Sequence, residues 1–205
     1  MKSMDRRSGL MALLGADKPA AEAKKLMTPR ERIRQRYFPD LVLTTHEGKK
    51  VRFYEDLVKD KIVIINMMYA KCEGICPPIT TNLVKVQKMF GDRMGKDIFM
   101  YSFTLKPEQD TPEVLRKYAE AHKVRKGWTF LTGSVADMEL VRRKLGYTDP
   151  DPKLDADKTN HTGMLKYGNE PLMRWGSCPG MSKADWVVES VSWVDWPKDA
   201  KGVRK

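Results

Sequence analysis

Two cysteines four positions apart lie in the stretch Tyr69-Ala70-Lys71-Cys72-Glu73-Gly74-Ile75-Cys76-Pro77-Pro78. Thiols at this spacing can bind a soft metal, close a disulfide, or alternate between the two. The thiolate is the reactive form in each case. It is favoured at a helix start, where unpaired N–H groups and the helix dipole stabilise negative charge. The spacing predicts Cys72 and Cys76 on one face of a helix's first turn. Cα atoms one turn apart fall within the roughly 4.4–6.8 Å that a disulfide tolerates. Two thiolates also suit a soft ion such as Cu(I). Lys71 stands beside Cys72, where a cation lowers a thiol pKa.

Among the histidines, His161 has the most informative position. It closes an Asp-rich segment just before a strand, 85 residues after Cys76. A loop there can hang over the cysteine turn, which leaves His161 as a third, nitrogen ligand or as a surface histidine. His46 reads as a surface residue of a polar turn, and His122 as a helix-end residue where the dipole favours a cation. Met164, three residues after His161, has a thioether that suits copper, but in an alternating strand it fits the core. Cys178 fits a small buried hydrophobe or a thiol that pairs with a partner. The 13 methionines are scattered.

The elements that must position these groups follow from pattern and punctuation. Thr28-Pro29-Arg30-Glu31 is a capping-box start with Pro at the first helical position, and its helix runs to about Tyr37. Leu41–Thr44 and Val51–Tyr54 flank a hairpin turn at His46-Glu47-Gly48-Lys49. Asp56–Lys59 is a brief helical turn. Ile62–Met68 is apolar enough for a buried strand, and the cysteine turn follows it. Thr80–Gly91 reads as a helix, Ile98–Leu105 as a second core strand, and Thr111 caps a helix to about His122. Trp128–Leu131 is a short strand, and Ser134–Leu145 a helix stopped by Gly146. Tyr147–Asn160, with two prolines and four aspartates, reads as a long surface loop of the kind that often carries function. Met164–Tyr167 and Leu172–Trp175 form a strand pair, and Lys183–Trp196 a terminal helix. Alternating strands and helices imply an α/β fold. A cysteine pair after the first central strand of a βαβ unit is the thioredoxin arrangement, here with three intervening residues instead of two.

The 205 residues suffice for one domain with a full core. The net charge of +11 is spread along the chain. It fits a solvated basic surface, or docking on an anionic membrane or acidic protein face. No nucleic-acid signature accompanies it. Three cysteines do not make a disulfide scaffold, and no apolar run approaches the roughly 20 residues of a membrane span. Residues 1–27 read as a leader or disordered segment and 28–205 as the folded domain. Arg6-Arg7, the short apolar segment within Ser8–Ala16 and Ala21-Glu22-Ala23 look like a twin-arginine export signal with a small-residue cleavage site.

The chain resembles the Sco/SenC family of thioredoxin-fold copper-binding proteins. The resemblance rests on Cys72-Glu73-Gly74-Ile75-Cys76-Pro77 after a core strand, on His161, and on Phe99–Leu105 followed by Pro107-Glu108-Gln109-Asp110-Thr111-Pro112. Trp128 and Leu131-Thr132-Gly133 also fit. It covers about residues 36 to 196. It implies a thioredoxin-like fold with a central mixed sheet flanked by helices, an extra N-terminal hairpin, and a long loop before the histidine. It implies that Cys72, Cys76 and His161 hold a copper ion, Cu(I) or Cu(II). The implied role is delivery of copper to the dinuclear copper site of a cytochrome c oxidase subunit or related copper enzyme, or reduction of that subunit's cysteines. A copper donor or thiol reductant protein would be a further partner. The implied location is extracytoplasmic, often membrane-tethered, and the protein is expected to be a monomer. Two stretches depart from the family pattern: Asp155-Ala156-Asp157-Lys158-Thr159-Asn160 before the histidine, and Arg174-Trp175-Gly176-Ser177-Cys178-Pro179 after it. They mark a divergent branch.

Three functions compete on these residues. A metallochaperone without turnover needs both thiols reduced and His161 within reach. A thiol–disulfide oxidoreductase needs only Cys72 and Cys76 as its redox pair. A peroxidase would need a single low-pKa cysteine with groups that polarise peroxide, and nothing beyond the fold points to one.

Overall fold

The computed structural model describes residues 26–158 and 163–195. The export-signal residues and His161 therefore lie outside the described residues.

Helix α1 (Pro29–Tyr37) begins as its sequence predicts. The Thr28 side chain accepts from Glu31 N–H, and the Glu31 carboxylate accepts from Thr28 N–H. Strands β1 (Val42–Thr45) and β2 (Lys50–Arg52) form the hairpin. Its turn closes at Gly48, whose φ of 82° suits a residue without Cβ. The brief helical turn expected at Asp56–Lys59 is a wider π-type turn over Phe53–Val58, and it buries Phe53, Tyr54, Leu57 and Val58. Strand β3 (Ile62–Met68) is buried along its whole length. Helix α2 (Cys76–Phe90), strand β4 (Ile98–Thr104), helix α3 (Pro112–Ala121), strand β5 (Trp128–Thr132) and helix α4 (Val135–Lys144) follow. The expected surface loop carries a short helix, α5 (Pro152–Ala156), because Asp151 caps Lys153 N–H and Pro152 suits the first turn. Strands β6 (Met164–Asn169) and β7 (Arg174–Pro179) and helix α6 (Ala184–Val194) complete the described chain.

The seven strands form one sheet in the order β2-β1-β5-β4-β3-β6-β7. The central strands β3, β4 and β5 are parallel, and the outer pairings are antiparallel. Strand β3, apolar at every position but Asn66, fits its place beside a parallel partner, covered on both faces. Alternation along β3 divides the core. Ile62, Ile64 and Met68 pack with Leu83, Val86, Leu115, Val187 and Val191 of α2, α3 and α6. Val63, Ile65 and Met67 pack with Met138 and Val141 of α4 and with the π-type turn. A buried polar chain crosses the central strands: Trp128 Nε1–H donates to Ser102 Oγ at 2.8 Å, and Ser102 O–H donates to Asn66 Oδ1 at 2.7 Å. Each group is thereby paired inside the core, as its burial requires. The cysteine turn leaves the C-terminal end of β3, where α/β sheets place ligands.

Candidate metal and thiol site

The site starts where β3 runs out. Leu105 N–H, one residue past β4, still donates to Met68 O, and the chain then turns through Tyr69–Ile75 into α2. Helix α2 begins at Cys76 rather than at Thr80, because Pro77 occupies an early position where no N–H is needed. Cys72 therefore lies in the turn before the helix, not in its first turn as the spacing suggested. Both cysteines are free thiols, 6% and 2% exposed. Lys71, Glu73, Gly74 and Pro78 around them are exposed. A partner can thus approach the turn while the sulfurs stay largely out of water.

The two thiols differ electrostatically. Burial works to raise the Cys72 pKa. Hydrogen bonds from the Cys76 thiol, from the N–H groups of Cys76 and Gly74, and from Tyr69 outweigh it, so the net direction is down. Cys76 is pushed up to about 12, first by burial and then by its role as donor to Cys72. The helix-start N–H groups thus converge on the first sulfur, which is the effect expected of a helix N-terminus. Tyr69 is raised to about 12, chiefly because it donates to Cys72. The Lys106 ammonium sits over the Tyr69 ring at 4.2 Å.

A carboxylate underlies the turn. Asp110 is 1% exposed. It accepts from Ala70 N–H at 3.1 Å and from Thr104 O–H at 2.5 Å. Burial raises its pKa despite these donors. The Pro107–Pro112 segment stands out in the sequence, but its tie to the cysteine turn through Asp110 does not. Tyr69 and Tyr118 do not stand out either. The Tyr118 hydroxyl lies 2.9 Å from Thr80 Oγ1 on α2. No spacing rule reveals such contacts between residues about 40 positions apart.

Described residues on either side of 159–162 are held in place. Downstream, Gly163 has φ 60° and packs against the cysteine turn. A Cβ there would lie 2.5 Å from Ile75 Cδ1 and 3.1 Å from Ile79 Cδ1. Gly163 O also accepts from Gly180 N–H at 2.8 Å. Upstream, Arg142 of α4 is 5% exposed and holds the Asp-rich loop. Its Nη1 and Nη2 donate to the Asp155 carboxylate at 2.6 and 2.8 Å, and Nη1 also donates to Tyr147 O at 2.6 Å. Glu139 accepts from the same guanidinium at 2.7 and 2.9 Å. Asp157 makes an electrostatic contribution at Tyr69.

The remaining candidates separate from this cluster. Met164 packs with the Val63–Ile65–Met67 side of the core, away from the side that holds Cys72 and Cys76. Cys178 is buried among apolar groups and raised to about 11 by that burial. His46 is not a simple surface residue. It is half-buried, and its Nδ1 accepts from Phe130 N–H at 3.1 Å, which extends the pairing of β1 with β5 by one residue. His122 packs on Tyr118, with ring centroids 4.4 Å apart. Burial there lowers its pKa, opposite to the dipole effect expected of a helix end.

The architecture and the cysteine turn define a thioredoxin-like α/β protein with a Cys-x-x-x-Cys-Pro site. A model of the SCO1/SenC family matches residues 29–166, and the chain belongs to that family. It is 32% identical over 88 residues to a SCO1 protein homolog of Bacillus subtilis (strain 168). That match spans 42% of this chain and 44% of the relative, less than half its length. Among solved structures, a SCO1/SenC family lipoprotein from Bacillus anthracis superimposes with a TM-score of 0.62 at 21% identity, covering 77% of this chain and 94% of that one. ScoI of Bradyrhizobium japonicum, solved with copper bound, gives 0.62 at 20% identity over 77% and 98%. BsSco, described as a member of the Sco family of cytochrome c oxidase assembly proteins, gives 0.62 at 23% identity over 77% and 92%. At these identities the structural likeness establishes the fold.

Proposed function

We propose that this protein is a copper chaperone that carries one copper ion on Cys72, Cys76 and His161 for assembly of the dinuclear copper site of a cytochrome c oxidase or related enzyme. The observation that carries the reading is the packing of Gly163 on Ile75, between the two cysteines. His161 is two residues away, and two residues of chain reach at most about 7 Å. Two reduced thiols and a neutral imidazole within that reach suit Cu(I). Copper-bound relatives of the same fold, such as the Bradyrhizobium protein, support it. Copper is the cargo, so its ligands should be replaceable one at a time by those of the acceptor. The exposed residues around the turn favour such an approach. Protons compete for all three ligands, so affinity should fall with pH. Residues 28–205 would form the copper-binding domain. Residues 1–27 would form a leader that exports or tethers it outside the cytoplasm.

The test is an anaerobic titration of the reduced protein with Cu(I) against a chromogenic chelator, beside His161→Ala. One tightly held equivalent, weakened at least tenfold by the substitution, supports the three-ligand site. Tight binding that ignores the substitution removes His161 from it.

One observation favours a second reading. The lowered Cys72 beside a raised Cys76 is the asymmetry of a thiol–disulfide reductase, with an attacking and a resolving sulfur. Such an enzyme would reduce the cysteines of a copper-site partner, and His161→Ala would leave its rate unchanged.

A further inference from the structure

The alternation of β6 separates two neighbours. Leu165 enters the core on the side of Cys72 and Cys76, and Lys166 projects from the opposite face of the sheet. On that face a cavity of about 570 Å³ lies between α1 and the strands β6 and β7. The volume is within the range of small-molecule sites. Ile65 and Ser177, paired directly with Lys166 across β3 and β7, line it together with the lysine. Cross-strand partners share a face. Ile33 and Leu145 extend the apolar wall around Ile65.

Lys166 is the only amine among the lining residues, and no acidic side chain lines the cavity. Lys166 is half-buried, and among the described residues its ammonium forms no ion pair or side-chain hydrogen bond. The ammonium faces the Tyr147 ring at 5.1 Å. Burial lowers its pKa, so more of the amine is free of its proton than in an exposed lysine. Arg32 and Arg36, exposed on α1, bring two fixed positive charges to the same lining. A desolvated lysine in company with other cations, and without a carboxylate, is the arrangement that makes an amine nucleophilic.

We infer that Lys166 is a Schiff-base site, at which the free amine condenses with a small aldehyde that carries an anionic group. The amine nitrogen adds to the carbonyl carbon, and the carbonyl oxygen gains a proton as the nitrogen gives one up. The carbinolamine then loses that oxygen as water and leaves an imine. No electron donor or acceptor is needed. Arg32 and Arg36 attract the anionic group, and the cavity takes the body of the aldehyde. The Tyr37 and Ser177 hydroxyls also line the cavity. A hydroxyl both donates and accepts, which suits the proton transfers. The site is separate from the copper reading, because Lys166 lies across the sheet from Cys72 and Cys76.

Reaction of the full chain with pyridoxal 5′-phosphate, trapped with borohydride and mapped by peptide mass spectrometry, tests it. At one equivalent of aldehyde, Lys166 should be modified at least about fivefold faster than any other mapped lysine. Pyridoxal, which lacks the phosphate, should prefer Lys166 less. Arg36→Gln, at an exposed position, should reduce the preference of the phosphate form about threefold and leave that of pyridoxal unchanged. The map of the parent protein decides the site without any variant. Modification spread evenly over the exposed lysines would overturn the inference. So would a preference for Lys166 that is the same for both aldehydes.

Discussion

Arg142→Met removes the guanidinium that pins the Asp-rich loop while keeping most of its apolar stem. The Arg142 side chain is 5% exposed, and the Asp155 carboxylate that takes two of its bonds is 11% exposed. Breaking a buried pair by removing one partner costs about 3–5 kcal/mol, because the other charge is left uncompensated. Two features place this case at the low end. Glu139 is 31% exposed and keeps Arg143 at 2.7 Å and Lys158 at 3.1 Å. Asp155 also keeps Asp149 N–H at 2.9 Å. A loss of about 3 kcal/mol is therefore expected. With a urea slope of about 2 kcal/mol/M, the midpoint at pH 7 falls by roughly 1.5 M. The pH dependence has a defined sign. Glu139 is depressed from 4.5 to about 2, first through its bonds to Arg142, and Asp155 lies well below the usual carboxylate range for the same reason. Depressed folded-state values contribute stability that is present above the unfolded pKa and lost as pH falls from about 4.5 towards 2. The parent should lose this stability on acidification, and Arg142→Met should show a flatter curve. Adding Asp155→Asn should restore at least 1 kcal/mol, since no buried unpaired charge would remain. Urea unfolding followed by tryptophan fluorescence reads all three. A change under about 0.5 kcal/mol in the single variant, the size of an ordinary surface substitution, or strict additivity in the double variant, would refute the pinning argument.

Gly163→Ala should destabilise by at least 1–2 kcal/mol, the approximate cost of a left-handed non-glycine residue, and should weaken Cu(I) binding. Ile75→Val, which removes the nearest atom, should recover part of the copper affinity, and no recovery would show that Ile75 is not the obstacle. Cys72 should react with iodoacetamide before Cys76 across pH 6–9, as peptide mapping of partly alkylated protein can show; the reverse order would contradict the electrostatics of the turn. Asp110→Ala leaves Ala70 N–H and Thr104 O–H without their acceptor. It should cost about 1–3 kcal/mol in chemical denaturation, and a neutral result would mean that water replaces the carboxylate.

The elements with strong local causes were legible in the sequence. The Thr28–Glu31 capping box, the apolar run of β3 and the Ser134 and Thr111 caps each act within a few residues, and each appears where expected. Helix α2 starts four residues before its amphipathic repeat becomes visible at Thr80, because Pro77 suits its first turn. The α5 turn was hidden because two prolines and four aspartates look like a loop until Asp155 finds Arg142. The cysteine pair was legible from spacing alone. Its electrostatic asymmetry was not, since it arises from donors that only the folded turn aims at Cys72. The acceptor role of His46 likewise needs β5 to be brought alongside the hairpin.

X-ray absorption at the copper edge of the Cu(I)-loaded, reduced protein tests the three-ligand site most directly. The expected spectrum fits two sulfur scatterers and one nitrogen, and His161→Ala removes the nitrogen alone. A two-sulfur environment that is identical in parent and variant would contradict it.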